Sequence, residues 1–215
     1  MPQTPDWSLG DKYLLQEVPV LGALIKKYSP CTLVPENETR YFATLMRGLI
    51  SQQLPPAVVN DLCSKIQALL GEVTPEKIIA ATDKELLAQG LVQQKIDYLR
   101  NFSHMVVNGQ VTLDKFAEMS DTEISKQLLQ VKGLGQWTIE MFLLLALCRT
   151  DIVPTADHNF AKALQTLLNL PTLPKRGEIN KLTASWRPWR SLAVWYLWQA
   201  SEELTTKVPA GKNKK

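Results

Sequence analysis

Apolar residues recur along most of this chain at the spacing of helices that face a core. Phe42, Leu45, Met46, Leu49 and Ile50 fall at i, i+3, i+4, i+7 and i+8, one stripe on a 3.6-residue repeat. Val59, Leu62, Cys63, Ile66, Leu69 and Leu70 repeat the pattern, and Gly71 supplies its stop. Ile96, Leu99 and Phe102 mark another face. Polar residues punctuate these stripes. Thr82-Asp83-Lys84-Glu85 and Ser120-Asp121-Thr122-Glu123 have the form of capping boxes, in which the hydroxyl takes the N3 amide and the glutamate reaches back to the cap amide. Helices are predicted over Asp157 to Leu168 and Pro188 to Ala200. Asn108-Gly109 lies between valines, but the flanking runs are too short for a strand hairpin, so it reads as a helix exit. The most apolar run, Met141 to Cys148, is far too short to span a bilayer and predicts a buried helix.

The pattern therefore predicts an all-α protein. No Gly/Ser linker divides the chain. The helix signals make 1–210 one helical domain, with a middle lobe over about 40–150 and a second lobe combining the N-terminal segment with about 151–205. Residues 206–215, which contain Gly211-Lys212-Asn213-Lys214-Lys215, read as a basic flexible tail, drawn to polyanions or simply solubilising.

Composition narrows the chemistry. With 215 residues, 45% of them hydrophobic, the chain can bury a sizeable core and is not a disordered sequence. A net charge of +3 is a mild basic bias and by itself a weak argument for nucleic acid. Cys31, Cys63 and Cys148 are odd in number and widely spaced, which suits reduced thiols of a cytosolic protein rather than a disulfide framework. They cannot ligate an iron–sulfur cluster, and with only His104 and His158 beside them they make no structural zinc site. No metal and no cofactor is expected. The N-terminus lacks the basic-then-apolar pattern of a secretory signal.

The densest chemical signal is Val131-Lys132-Gly133-Leu134-Gly135-Gln136-Trp137-Thr138. Two glycines two apart make a tight turn that opens directly into a helix. Backbone N–H groups from Gly133 to Trp137 then lack intrahelical partners and sit at the positive helix end, where a phosphate binds. The run reads as a helix-hairpin-helix that grips a DNA strand by its backbone, with Lys132, Gly133, Leu134, Gly135, Gln136 and Thr138 as the candidate phosphate-binding hairpin. Twenty residues after Trp137, at the start of another helix, stands Asp157.

Four blocks in order carry a family resemblance from about Tyr41 to Ala200. They are Leu49-Ile50-Ser51-Gln52-Gln53-Leu54; the segment from Gln89-Gly90-Leu91 through Lys95 to Tyr98-Leu99; the hairpin with Asp157; and Trp186-Arg187-Pro188-Trp189-Arg190 through Trp198. Together they resemble the helix-hairpin-helix superfamily of base-excision DNA glycosylases, in its 3-methyladenine DNA glycosylase II (alkylbase) branch. The second block is similar to that family's "GLSxxKxxYL" helix. The resemblance implies a two-lobed helical glycosylase fold with its active site in the cleft between lobes. It implies a monofunctional enzyme that flips alkylated bases out of double-stranded DNA and hydrolyses the glycosidic bond in base excision repair.

The implied roles each stand beside a plainer reading. Leu54 becomes the wedge that fills the vacated stack, flanked by Gln52 and Gln53 reaching base edges or the opposite strand. It could instead be one more core leucine, although it lies off the Phe42–Ile50 stripe, between two glutamines and two prolines. Trp137 and Trp198 become the base pocket, where indole stacks on a cationic purine. Trp195 and Trp198 are also three apart on one helix, the spacing of core packing. Asp157 becomes the catalytic acid that stabilises the oxocarbenium-like sugar and orients water. It also suits an N-cap, and both can hold. His158 beside it reads as a surface or hydrogen-bonding group. Arg187 and Arg190 could touch phosphate, anchor the loop of Asp157, or form a structural ion pair.

Where bifunctional relatives carry a lysine nucleophile, this chain has Trp137, so no lyase activity is expected. Ala156 stands where the family commonly has a second acid, which leaves Asp157 as sole candidate. The residues between Gly10 and Thr39 are too few for the sheet domain of some relatives. The resemblance further implies a monomer in the cytoplasm (the nucleoid in a bacterium, the nucleus in a eukaryote), no membrane, and a monovalent cation as a candidate guest at the hairpin. The competing readings are a noncatalytic helix-hairpin-helix DNA-binding module, a bifunctional oxidised-base glycosylase/lyase, and a helical protein adaptor.

Overall fold

The computed structural model describes residues 3–201; the tail expected at 206–215 lies outside them. Among the described residues there is no strand, and the α-helices in chain order are α1 (Trp7–Glu17), α2 (Gly22–Tyr28), α3 (Tyr41–Ser51), α4 (Pro56–Leu70), α5 (Pro75–Ala80), α6 (Asp83–Ala88), α7 (Gln93–Val107), α8 (Asp121–Leu128), α9 (Gln136–Met141), α10 (His158–Leu167), α11 (Arg176–Leu182) and α12 (Arg190–Gln199). No helix among the described residues is long and apolar enough to cross a membrane.

Local chemistry sets the helix ends. Both capping boxes form: the Thr82 and Ser120 amides each donate to the glutamate three residues on, at 2.8 Å, and the glutamate amides donate back to the hydroxyls. These bonds hold both carboxyls below their ordinary range, Glu85 chiefly through the Thr82 amide and Glu123 chiefly through the Ser120 hydroxyl. Gly71 ends α4 at φ +71°, a conformation that costs a glycine little. The Phe42–Ile50 stripe is fully buried. On α4 the apolar face is narrower than its pattern suggests, because Val59, Leu62 and Ile66 are buried while Leu69 faces out. Asn108 caps α7, so Asn108-Gly109 is a helix exit. The run after Met141 departs from simple α-helix: Phe142–Ala146 is one turn of π-helix, with Leu145 exposed.

The chain divides into two compact units. The first is Pro35–Phe142, holding α3 to α9. Its core stacks Phe42 on Phe102 at 5.0 Å and sets Tyr41 edge-on to Phe142 at 5.4 Å. The second joins Gln3–Val34 to 143–201. There α1 lies so close to α12 that a Cβ on Gly10 would overlap Trp189 and Leu192. The Trp7 ring meets Trp189 edge-on at 6.2 Å, and the Tyr196 hydroxyl donates to Asp11 at 2.5 Å. Burial first, then the Asp11 carboxylate, pushes the Tyr196 phenol above its ordinary value.

Candidate functional site

In the first unit, α3 ends at Ser51 and α4 begins at Pro56, so Gln52 to Pro55 form a short exposed turn. Pro55 is extended and Pro56 opens α4 without needing an amide partner. The Leu54 amide bonds back to the Ser51 carbonyl at 3.1 Å. Gln53 takes φ +61°, the left-handed region that a non-glycine residue seldom occupies. Leu54 is half-buried, unlike the fully covered leucines of α3. Leu54, Gln52, Gln53, Arg47 and Trp137 line one concave pocket of about 500 Å³. Trp137 is 40% exposed.

The hairpin divides its residues between inside and outside. Leu134 and Thr138 are buried, and a Cβ on Gly48 would collide with the Thr138 methyl, so these two side chains pack inward. Lys132, Gly135 and Gln136 face outward. The two glycines differ in kind. Gly133 takes φ +96° and lies flat against the Tyr98 ring, where any Cβ would overlap it. Gly135 takes φ −101°, and an added Cβ there would meet nothing within 4 Å. Only Gly133 is required by the turn itself, a correction to the reading of both glycines as conformationally obligatory. Gly135 matters only for what approaches from outside. It leaves the first turn of α9 with no side-chain cap.

The hairpin and the Leu54 turn are joined. The Gln52 side-chain amide donates to the Gly133 carbonyl. Gln52, a candidate to reach base edges or the opposite strand, has this internal partner in the structure. Arg47, one turn before Ser51, donates to Asn60 at 2.5 Å and borders the same pocket. It was not singled out from sequence, although its place on the polar side of the α3 stripe, one turn before the Gln-Gln pair, was the available signal.

In the second unit, Asp157 is the N-cap of α10. Its Oδ1 accepts the Phe160 amide at 2.6 Å, and its own amide donates to the Pro154 carbonyl at 2.9 Å. The loop leading to it is clamped. Asp151 receives Arg190 Nε at 2.5 Å and Arg187 Nη1 at 2.5 Å, and Arg190 also donates to the Asp151 carbonyl at 2.7 Å. Ser191 accepts the Ile152 amide at 2.8 Å and donates to the Arg149 carbonyl at 2.5 Å. Each arginine thus forms an ion pair with Asp151, and these pairs anchor the loop of Asp157; both of these alternatives hold together. His158 is exposed, and Trp198 is half-buried on α12 beside the buried Trp195.

Residues 46–188 match the model of the HhH-GPD superfamily of base excision DNA repair proteins. An alkylbase DNA glycosidase-like protein of Schizosaccharomyces pombe is 30% identical over 93% of this chain and 96% of its own length. A DNA-3-methyladenine glycosylase of the same yeast is 30% identical over 85% of this chain and 81% of its own. The solved structure of an S. pombe 3-methyladenine DNA glycosylase in complex with abasic DNA superposes with a TM-score of 0.77 at 27% identity, covering 90% of this chain and 96% of that one.

Proposed function

This chain belongs to the HhH-GPD superfamily of base excision DNA repair proteins, and from that premise we propose that it is a monofunctional DNA glycosylase. It removes alkylated bases of the 3-methyladenine type from double-stranded DNA by hydrolysis and leaves an abasic site.

The glycosidic bond of a stacked base is out of reach, so the nucleotide must leave the helix. The outward amides at Gly135 and Gln136 grip a phosphate at the positive end of α9. Leu54 enters the stack in place of the departing base, and Gln53 meets the bases beside it. Trp137 and Trp198 offer aromatic faces to the base. N-alkylated purines carry positive charge, so they stack well on indole and leave readily. Departure of the base leaves a cation at C1′. Asp157 stabilises that cation with its carboxylate and orients the attacking water. A carboxylate does this best when it need not reorganise. The observation that carries the reading is therefore the fixed Asp157, whose Oδ1 is held by the Phe160 amide below a loop clamped through Asp151. Trp137 stands in place of a lysine nucleophile, which supports hydrolysis without strand cleavage.

The reading includes a monomer. It also includes a monovalent cation at the hairpin. Such a cation would be held by backbone carbonyls of the turn, of which Val131 and Gly133 each accept one hydrogen bond, from the Leu134 amide and from Gln52, and keep a second lone pair.

A base-release assay on duplexes carrying methylated, deaminated and oxidised bases tests the proposal. It predicts release of 3-methyladenine-type bases, with strand breaks appearing only after added alkali or heat. DNA binding without release of any base would make the protein a noncatalytic module. Release of oxidised bases with borohydride-trappable nicking would make it a lyase.

A further inference from the structure

The segment from Gln89 to Leu99 is part of the family pattern, yet none of its residues has a place in the chemistry above. In the structure its residues from Gln93 onward form the start of α7, and three residues spaced at i, i+3 and i+6 on that helix reach the two DNA-directed elements of the first unit. Lys95 is buried, and its Nζ donates to the Leu49 carbonyl at 2.7 Å. Leu49 lies in the last turn of α3, immediately before the Leu54 turn. The terminal carbonyls of a helix lack intrahelical partners, and a cation there also meets the negative end of the helix dipole. Ser51 Oγ bonds the Gly48 carbonyl at 2.9 Å and the Leu54 amide bonds the Ser51 carbonyl, so Lys95 adds a third bond at that helix end. Tyr98, one turn on, lays its ring against Gly133 of the hairpin. Asn101, one turn further, accepts the Lys132 amide at 3.3 Å. The Gln52–Gly133 bond joins the two supported elements to each other.

We infer that α7 is a strut, with Lys95 and Tyr98 as positioning residues that fix the Leu54 wedge at a set offset from the phosphate held by the hairpin. This rests on the assignment of wedge and hairpin made above. The reason for a strut is geometric. A wedge helps only if it enters the stack at the nucleotide whose backbone is gripped, and misplacement by about 1 Å can cost roughly a hundredfold in rate. A buried ammonium is an expensive way to fill space, and burial holds the Lys95 amine below its ordinary value. A residue there for packing alone would be apolar. The same contact explains why Gly133 must be glycine beyond its φ: a side chain would displace Tyr98 and with it the hairpin.

The test uses the full chain and a duplex carrying a tetrahydrofuran abasic-site analogue with 2-aminopurine beside it. The fluorescence of 2-aminopurine rises when the stack is opened, whether or not any base is cleaved. Lys95→Met keeps the chain length and removes the cation. It should melt as a folded protein, bind undamaged duplex with unchanged affinity, and lose most of the fluorescence rise. Its excision of a paired lesion should fall by up to about tenfold, no more than removal of the wedge itself costs, while excision of a lesion already unpaired stays near normal. Tyr98→Phe keeps the ring against Gly133 and should behave as the unsubstituted protein. Asn101→Ala, at an exposed position, removes the third contact without disturbing a core and should show the same selective loss, smaller in size. A full fluorescence rise in Lys95→Met overturns the strut. So does a parallel loss of binding, of fluorescence and of activity on both substrates, which would mark Lys95 as a fold-holding residue only; Asn101→Ala then decides alone if Lys95→Met does not fold, and an unchanged response there also overturns the strut. No rise with the unsubstituted protein would remove the wedge and the strut together. A rise without base release would remove only the catalytic reading.

Discussion

The Asp157 loop and the Leu54 turn are both short links between helices, and they are held in opposite ways. The loop is clamped along its length, with Asp151 gripped by two arginines, Ser191 bonded to both sides of it, and Asp157 itself fixed to the Phe160 amide. The turn is held at its base, through Ser51 and Gln52, while Gln53 is exposed with a positive φ and Leu54 is half-buried. The difference suits the roles proposed for each. A charge that stabilises a developing cation gains most when it is already in place. A residue that enters a base stack, as proposed for Leu54, is served by a turn anchored at the root and free at the tip.

Short of replacing Asp157 itself, loosening the clamp should cost most. Arg190 is 9% exposed against an Asp151 that is 24% exposed, so Arg190→Met leaves a half-buried carboxylate without its main partner and should destabilise the fold by about 2–3 kcal/mol. Excision measured below the melting transition should drop roughly 10- to 100-fold with duplex affinity retained. Equal losses in affinity and excision would show that the clamp serves the fold and not Asp157. Removing the wedge should cost less. Leu54→Ala should slow excision of a paired lesion about tenfold, or ~1.4 kcal/mol, and leave excision of an unpaired lesion nearly unchanged. Equal loss on both substrates would return Leu54 to the core. Smaller again is the hairpin surface. A Cβ at Gly135 meets nothing within 4 Å, so Gly135→Ala should fold normally and weaken binding several-fold by keeping phosphate from the amides, flattening the salt dependence of affinity. Unchanged affinity would remove Gly135 from the interface. The smallest effect belongs to Arg187→Ala. That side chain is 58% exposed, and solvent screening leaves such a pair worth under about 1 kcal/mol, so excision should stay within about twofold of the parent.

How much of this was legible in the sequence depends on how far apart the interacting residues lie. The α3 face and the capping boxes at Thr82 and Ser120 involve partners three or four residues apart, and they stand in the structure as the pattern predicts, while the α4 face is narrower. Asp157 as a helix cap was readable for the same reason. Contacts between distant segments were not readable. Gln52 and Gly133 are 81 residues apart, and Lys95 and Leu49 are 46 apart; nothing local in either stretch signals the other. Gly133 and Gly135 look equivalent as letters, and only the Tyr98 ring and the sign of φ separate them. The π-helical turn at Phe142–Ala146 leaves the same apolar run as an α-helix would. Arg187 and Arg190 were readable as an ion pair, but their partner Asp151, and so their link to the Asp157 loop, required the fold.

The claim at the centre is that Asp157 acts through its charge and not through its cap. Asparagine keeps the shape and the capping ability, so Asp157→Asn separates the two. The direct measurement is single-turnover base release by Asp157→Asn and by the unsubstituted protein on a neutral alkylated base, with the melting temperature and the affinity for damaged duplex recorded on the same samples. The account predicts unchanged melting and binding, with release slowed at least about a hundredfold, or ~3 kcal/mol. Near-normal release by Asp157→Asn would contradict it.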